Sequence, residues 1–215
     1  MPTAVAAAPK TFLPQKSYFP LWKNGFETWH INVFVFQLIA ANLYLIRSGA
    51  IDRPDPGSMP IDEVLDPSKN PVFRTMLLTT VALFAKTHAV MWAQVWLGCK
   101  NNSFSKNPYD TATGDPSVAP RTTEQDFAKT TMHHIHGNDL ENIPYTLALH
   151  LLLVLVQPTA EAARLIMVTY VVVRYVHTFW YAFYGSHEVR ATLFSVNCWA
   201  NYAAVCQILS ACKVI

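Results

Sequence analysis

Residues His133-His134-Ile135-His136-Gly137-Asn138-Asp139-Leu140-Glu141-Asn142-Ile143-Pro144 run without a break into the apolar stretch Tyr145–Val156. Ionisable groups therefore enter what reads as a membrane helix. At the bilayer centre each costs roughly 2.5–3.5 kcal/mol on insertion scales, so such a group has to face a bundle interior or a cavity. On a helix His134, Asn138 and Glu141 fall at i, i+4 and i+7, on one face. Arg174, His177 and Tyr181 repeat that geometry in a second apolar segment. Two polar faces on neighbouring helices predict a polar site between them.

The composition agrees with a bilayer protein. Of 215 residues 52% are hydrophobic, 13% aromatic and only 14% charged, against roughly 25% charged in soluble domains. A formal charge of +2 with no dense basic cluster argues against nucleic acid as a partner. The cysteines (Cys99, Cys198, Cys206 and Cys212) form no CxxC pair or secreted-domain spacing, and three of them read as small apolar residues of the last helix. Met1 to Ser17 lacks both an apolar core of secretory length and arginines, and is expected to be a mature tail.

Five helices are predicted, near 29–46, 72–98, 125–156, 160–184 and 190–214. The first, interrupted by His30, Asn32, Gln37 and Asn42, is expected to span the membrane, with an interfacial or partner-bound helix as the alternative. Residues 48–71, rich in Pro, Asp and Gly, read as a solvated loop, and 101–124 as a second. Lys86, near the middle of the second helix, calls for a cavity, a carboxylate partner or a route to the interface. The third helix, about thirty residues at roughly 1.5 Å each, exceeds the hydrocarbon core, so its polar first half should project towards water. The short last connections make the final three helices antiparallel neighbours. The fold class is an all-α membrane bundle of four helices, residues 72–215, preceded by a tail (1–28) and one additional helix (29–47).

His136-x-Asn138-Asp139-Leu140-Glu141-Asn142-Ile143-Pro144, then Arg174-x-x-His177-Thr178-x-x-Tyr181 and Arg190, with Asn107-Pro108-Tyr109-Asp110 upstream, resembles the MAPEG family, the membrane-associated proteins of eicosanoid and glutathione metabolism. The resemblance is to the microsomal glutathione transferase and microsomal prostaglandin E synthase branch, and covers about Val72 to Ile215. It implies a trimer of four-helix subunits, with glutathione between the first two family helices of one subunit and later helices of its neighbour. Carried over by position, Arg190 is the thiolate-stabilising arginine and Asp110 a loop aspartate implicated in chemistry. Asn138 and Glu141 would bind the glutathione backbone and amine, and Arg174, His177 and Tyr181 its other end. The endoplasmic reticulum is the implied membrane, with a mitochondrial one as the alternative. The chemistry suits such a site: a thiol with a pKa near ~8.5 is mostly protonated at neutral pH, and a nearby guanidinium lowers it.

The chain departs from that pattern where the family carries further arginines. The matching positions are Thr130, Thr131, His134 and Gly137, with Gly98 or Cys99 beside Lys100 at the end of the previous helix and Ala191 after Arg190. Losing two charge-assisted clamps of about 1.5–3 kcal/mol each weakens binding by about two to four powers of ten. Lys100 or a protonated His134 could recover part of it. The His133/His134/His136 group is not expected to hold a metal, since such sites need three or four convergent ligands.

Two functional classes stay open. One is a glutathione-dependent transferase or peroxidase acting on lipophilic electrophiles or lipid hydroperoxides in a homotrimer. The other is a non-catalytic lipid-binding or assembly subunit, a supernumerary part of a larger membrane complex, in which Asn138, Glu141 and Arg174 serve only as an interhelical network, with Glu141 paired to Arg174.

Overall fold

The structure, a computed structural model, describes residues 28–100, 123–184 and 187–214, and all their regular structure is helical. In chain order these are α1 (Thr28–Arg47), α2 (Ile61–Val64), α3 (Pro71–Lys100), α4 (Thr123–Leu155), α5 (Ala160–Phe183) and α6 (His187–Ala211). The five long helices fall within three residues of the ranges expected from the sequence. The 48–71 segment differs from a plain loop by holding the one-turn α2.

Local chemistry sets the boundaries. The Asn70 carboxamide oxygen accepts from the amides of Val72 and Phe73 at 2.9 and 3.2 Å, capping α3 with Pro71 at its first position. The Thr159 hydroxyl accepts from Ala162 N–H at 3.3 Å and opens α5, with Glu161 in its first turn. Between them Gln157 takes a left-handed φ of 53° to end α4. α4 runs unbroken through Pro144, although proline leaves the Leu140 carbonyl without its ladder donor.

α3, α4, α5 and α6 pack on one another, and α1 lies along α6. At one end the core joins Val64 of α2 to Val72, Leu153, Val154, Ala163 and Met167. Leu83, Ile143, Tyr170 and Ala200 form a second apolar layer further along. α1 brings a buried Asn42 whose amide donates to Leu38 O at 2.8 Å.

The outside of the bundle carries many large apolar side chains. Leu78, Val81, Phe84 and Trp92 of α3 and Leu165, Val172, Phe179 and Phe183 of α5 are exposed. Among the described residues two helices are long and apolar enough to cross a membrane, Pro71–Leu97 at mean hydropathy 1.3 and Ala160–Phe183 at 1.2.

The 48–71 segment is tied to the bundle through Gln157. Its Oε1 accepts from the Ser58 hydroxyl at 2.8 Å and from Met59 N–H at 2.9 Å, and its Nε2 donates to Met59 O at 3.2 Å. Gln207 Nε2 donates to Asp52 O at 3.4 Å. Within the segment, hydrogen bonds from the Ser68 hydroxyl and amide hold the Asp66 carboxyl below its usual range, and the Glu63 carboxylate raises the Lys69 ammonium above its own. Gln157→Ala removes three hydrogen bonds and is expected to lower stability by about 1–3 kcal/mol. Limited proteolysis should show faster cleavage within 48–70 in that variant than in the wild type.

Candidate functional site

The site is built on one buried carboxylate. Asp139 of α4, 2% exposed, receives Lys86 Nζ of α3 at 2.5 Å on Oδ2 and Arg174 Nη2 of α5 at 2.8 Å on Oδ1. Arg174 also donates from Nη1 to Asn138 Oδ1 at 2.8 Å and from Nη2 to Asn138 O at 3.0 Å. Three helices thus meet at one carboxylate flanked by two cations. All three charged side chains are at most 3% exposed. Lys86 therefore takes the carboxylate partner its mid-helix position called for.

The pairing expected between Glu141 and Arg174 is corrected. Glu141 is exposed, and the partner is Asp139. The buried stripe of α4 reads Ile135, Asp139, Ile143, Thr146, His150 and Leu153. His134 and Glu141 face away from the interior of the bundle, with Asn138 half-buried at the edge of that stripe. A signal for Asp139 stood in the sequence: it shares the i, i+4 face of Ile135 and Ile143, and the isolated Lys86 called for an acid.

Towards the start of α6 the geometry continues along α5. His177 is buried and meets Tyr181 edge-on with ring centroids 6.0 Å apart. The Arg190 guanidinium lies 4.1 Å over the Tyr181 ring, a cation–π contact. Among the described residues Arg190 has no carboxylate partner, and its buried Nε finds no acceptor. The structure therefore groups Asn138 with Arg174, and His177 with Tyr181 and Arg190, while His134 and Glu141 lie on the outer face of α4. Asp110 lies outside the described residues, as do the side chains at 98–100.

A second polar layer was not anticipated from the sequence. Thr146 and Asn201 exchange hydrogen bonds at 3.2 and 3.1 Å. His150 packs edge-on against Tyr170 with centroids 5.8 Å apart, and the Tyr170 hydroxyl donates to Asn142 O at 3.3 Å. Between α3 and α4 a cavity of about 190 Å³ is lined mainly by Leu83, Phe84, Ile143 and Leu147, with Thr80 and His88 at its polar points. The histidines at 133 and 134 do not converge (ring centroids 6.3 Å apart), and His133 meets Gln94 at 3.4 Å. Among the described residues no group of three His, Cys, Asp or Glu side chains is placed to hold a metal. Cys198, Cys206 and Cys212 are free thiols.

An apolar exterior around a buried lysine, aspartate and arginine defines an integral-membrane helical bundle. The model of the MAPEG family matches residues 76–210, more than half of the chain, and the protein belongs to that family. No curated protein and no solved structure matches it. Membership points to a membrane protein of the glutathione-related transferase type or a related function.

The charge count within the triad sets a mutational order. Asp139→Asn leaves two buried cations without an anion and should cost about 3–5 kcal/mol. Lys86→Met leaves a one-to-one Arg174–Asp139 pair and should cost distinctly less, and Glu141→Gln should hardly register. Thermal unfolding of the three variants in detergent checks that order.

Proposed function

We propose that this chain is a glutathione-dependent transferase or peroxidase for lipophilic electrophiles or lipid hydroperoxides dissolved in the bilayer. The observation that carries it is the Arg190 guanidinium. It rests on Tyr181 at the start of α6, and among the described residues it has no carboxylate partner and its Nε meets no acceptor. A cation so placed attracts an anion, and a thiolate is the anion that transfer chemistry needs. The guanidinium stabilises the thiolate over the thiol, and the N-terminal end of α6 adds its positive dipole. The thiol proton passes to water as the thiolate forms. The sulfur then displaces a leaving group from an electrophilic carbon, or attacks the distal oxygen of a hydroperoxide and breaks the O–O bond. In the second case the alkoxide takes a proton from water to leave as an alcohol, and the resulting glutathione sulfenic acid condenses with a second glutathione to disulfide and water.

In this reading glutathione lies along the outer face of α4. Asn138 meets its backbone, Glu141 its amine, His134 a carboxylate and Tyr181 the other end, with Asp110 contributing a carboxylate, while Arg174 and His177, buried within the bundle, hold Asn138 and Tyr181 in place. Glu141 is exposed about 3 Å along the helix axis from buried Asp139, so its carboxylate stands at the depth of the polar core on the outer surface of the subunit. An ionisable group there needs cover, and a neighbouring subunit with bound glutathione supplies it. That favours a homotrimer in which α3, α4, α5 and α6 all cross the bilayer, with α1 as an additional helix. The apolar cavity between α3 and α4 suits the hydrocarbon part of the second substrate.

A second reading is favoured by a specific observation. Arg174 and Asn138 are already bonded to each other and to Asp139, and Gly137 stands where the family resemblance expects an arginine. A non-catalytic subunit of a larger membrane complex needs only that internal network.

Two variants separate the readings. Arg190→Ala should lower glutathione-dependent turnover about ten- to a hundredfold, the weight of one charge-assisted contact, while leaving the size of the detergent particle unchanged. Unaltered turnover would remove Arg190 from the chemistry. A Cβ built on Gly137 meets no atom within 4 Å, so a side chain can start there, and Gly137→Arg should tighten glutathione binding by about tenfold or more. No gain in the titration would argue for the non-catalytic subunit.

A further inference from the structure

The one-turn helix α2 presents two faces. Val64 is fully buried in the end of the bundle, whereas Ile61 and Leu65 are 77% and 50% exposed. Ile61 and Leu65, the residue that caps the C-terminus of α2, are four residues apart, about 40° on the helix circumference, while Glu63 falls on the opposite side and Asp62 about 60° from Leu65. The segment that carries them is held by the Gln157 side chain, by Asn70 Nδ2 donating to Val64 O at 2.7 Å, and by Val64 in the core. The aliphatic pair is thus displayed on a fixed support.

Its position along the membrane normal follows from the chain. Pro71, six residues after Leu65, opens the apolar span of α3, and Ala160 opens that of α5. Both starts lie at the same end, since Val72 and Ala163 share one core cluster with Val64. Arg74 and Arg164 are exposed, three and four residues inside those spans, and have no ion pair among the described residues. That places two guanidinium stems about 5–6 Å inside the helix starts, a depth from which arginine reaches lipid phosphate. Two large aliphatic side chains and two outward arginines at one boundary match a phospholipid leaflet: apolar contact at the acyl edge, cations at the phosphates, and Glu63 on the side of α2 away from the lipid.

We propose that α2 is an interfacial foot, with Ile61 and Leu65 inserted at the headgroup–acyl boundary of the leaflet in which this end of the bundle sits and Arg74 and Arg164 holding lipid phosphates. The foot depends on the membrane placement of α3 and α5 and not on any catalytic role.

The test uses the full chain in phospholipid nanodiscs, with photoreactive benzoylphenylalanine at position 61, 65 or 63 in turn. Irradiation and intact-mass analysis should give phospholipid adducts from 61 and 65, and several-fold fewer from 63. Equal yields at all three positions, no lipid adduct at 61 and 65, or crosslinks to a second copy of the chain would overturn it. A second readout needs no label. Ile61→Asn with Leu65→Asn should speed tryptic cleavage at Lys69 in nanodiscs but not in detergent, and equal rates in nanodiscs for wild type and variant would also overturn it.

Discussion

The structure depends on a carboxylate shared between two cations. Asp139 holds Lys86 from α3 and Arg174 from α5, and the Arg174 guanidinium also binds the side chain and carbonyl of Asn138. Buried charges are tolerated when paired and hydrogen-bonded, and breaking one pair costs several kcal/mol. In a membrane the alternative partners are hydrocarbon, so the network also specifies register. Asp139 meets both cations only when α3, α4 and α5 are aligned at this level. The apolar layers of Leu83, Ile143 and Tyr170 and of Val64, Leu153 and Met167 then stack on the same alignment.

That arrangement divides the polar residues by task. Lys86, Asp139, Arg174 and Asn138 bond to one another and hold the helices together, with only the Arg174 Nε of that guanidinium meeting no acceptor among the described residues. Arg190 stands apart on Tyr181, a cation without a carboxylate among the described residues. His134 and Glu141 look out from α4. A scaffold that closes its interior with its own charges and leaves a cation at a helix start is suited to bind an anionic ligand at its edge. A cation without a carboxylate among the described residues fits the proposed thiolate role better than those already neutralised.

Helices were legible in the sequence because each long apolar run is bounded by strong signals: Asn70-Pro71, Gln157-Pro158-Thr159, and the polar stretch before α4. The one-turn α2 was not, since four residues carry no periodicity and Pro60 and Pro67 suggest a loop. At the site, the residues were legible and their facing was not. Reading His134, Asn138 and Glu141 as an inward polar face followed from their shared polarity. The buried stripe instead follows Ile135, Ile143 and Leu153, one residue out of phase, and carries Asp139 inward. In a membrane bundle polarity alone does not tell inside from outside, because an outward polar face is covered by neighbours or ligand. The Thr146–Asn201 layer escaped notice for a related reason: isolated Thr and Asn residues within apolar helices carry little signal until a partner helix is in place.

The most direct test of the account is calorimetric titration of glutathione into the detergent-purified protein, repeated in buffers of different ionisation enthalpy. If Arg190 stabilises the thiolate, binding falls in the micromolar to low-millimolar range and releases a proton to the buffer near neutral pH, and Arg190→Ala abolishes the release. Binding without proton release would contradict that role. No heat at about ten millimolar glutathione, an affinity weaker than about −3 kcal/mol, would contradict a working glutathione site altogether.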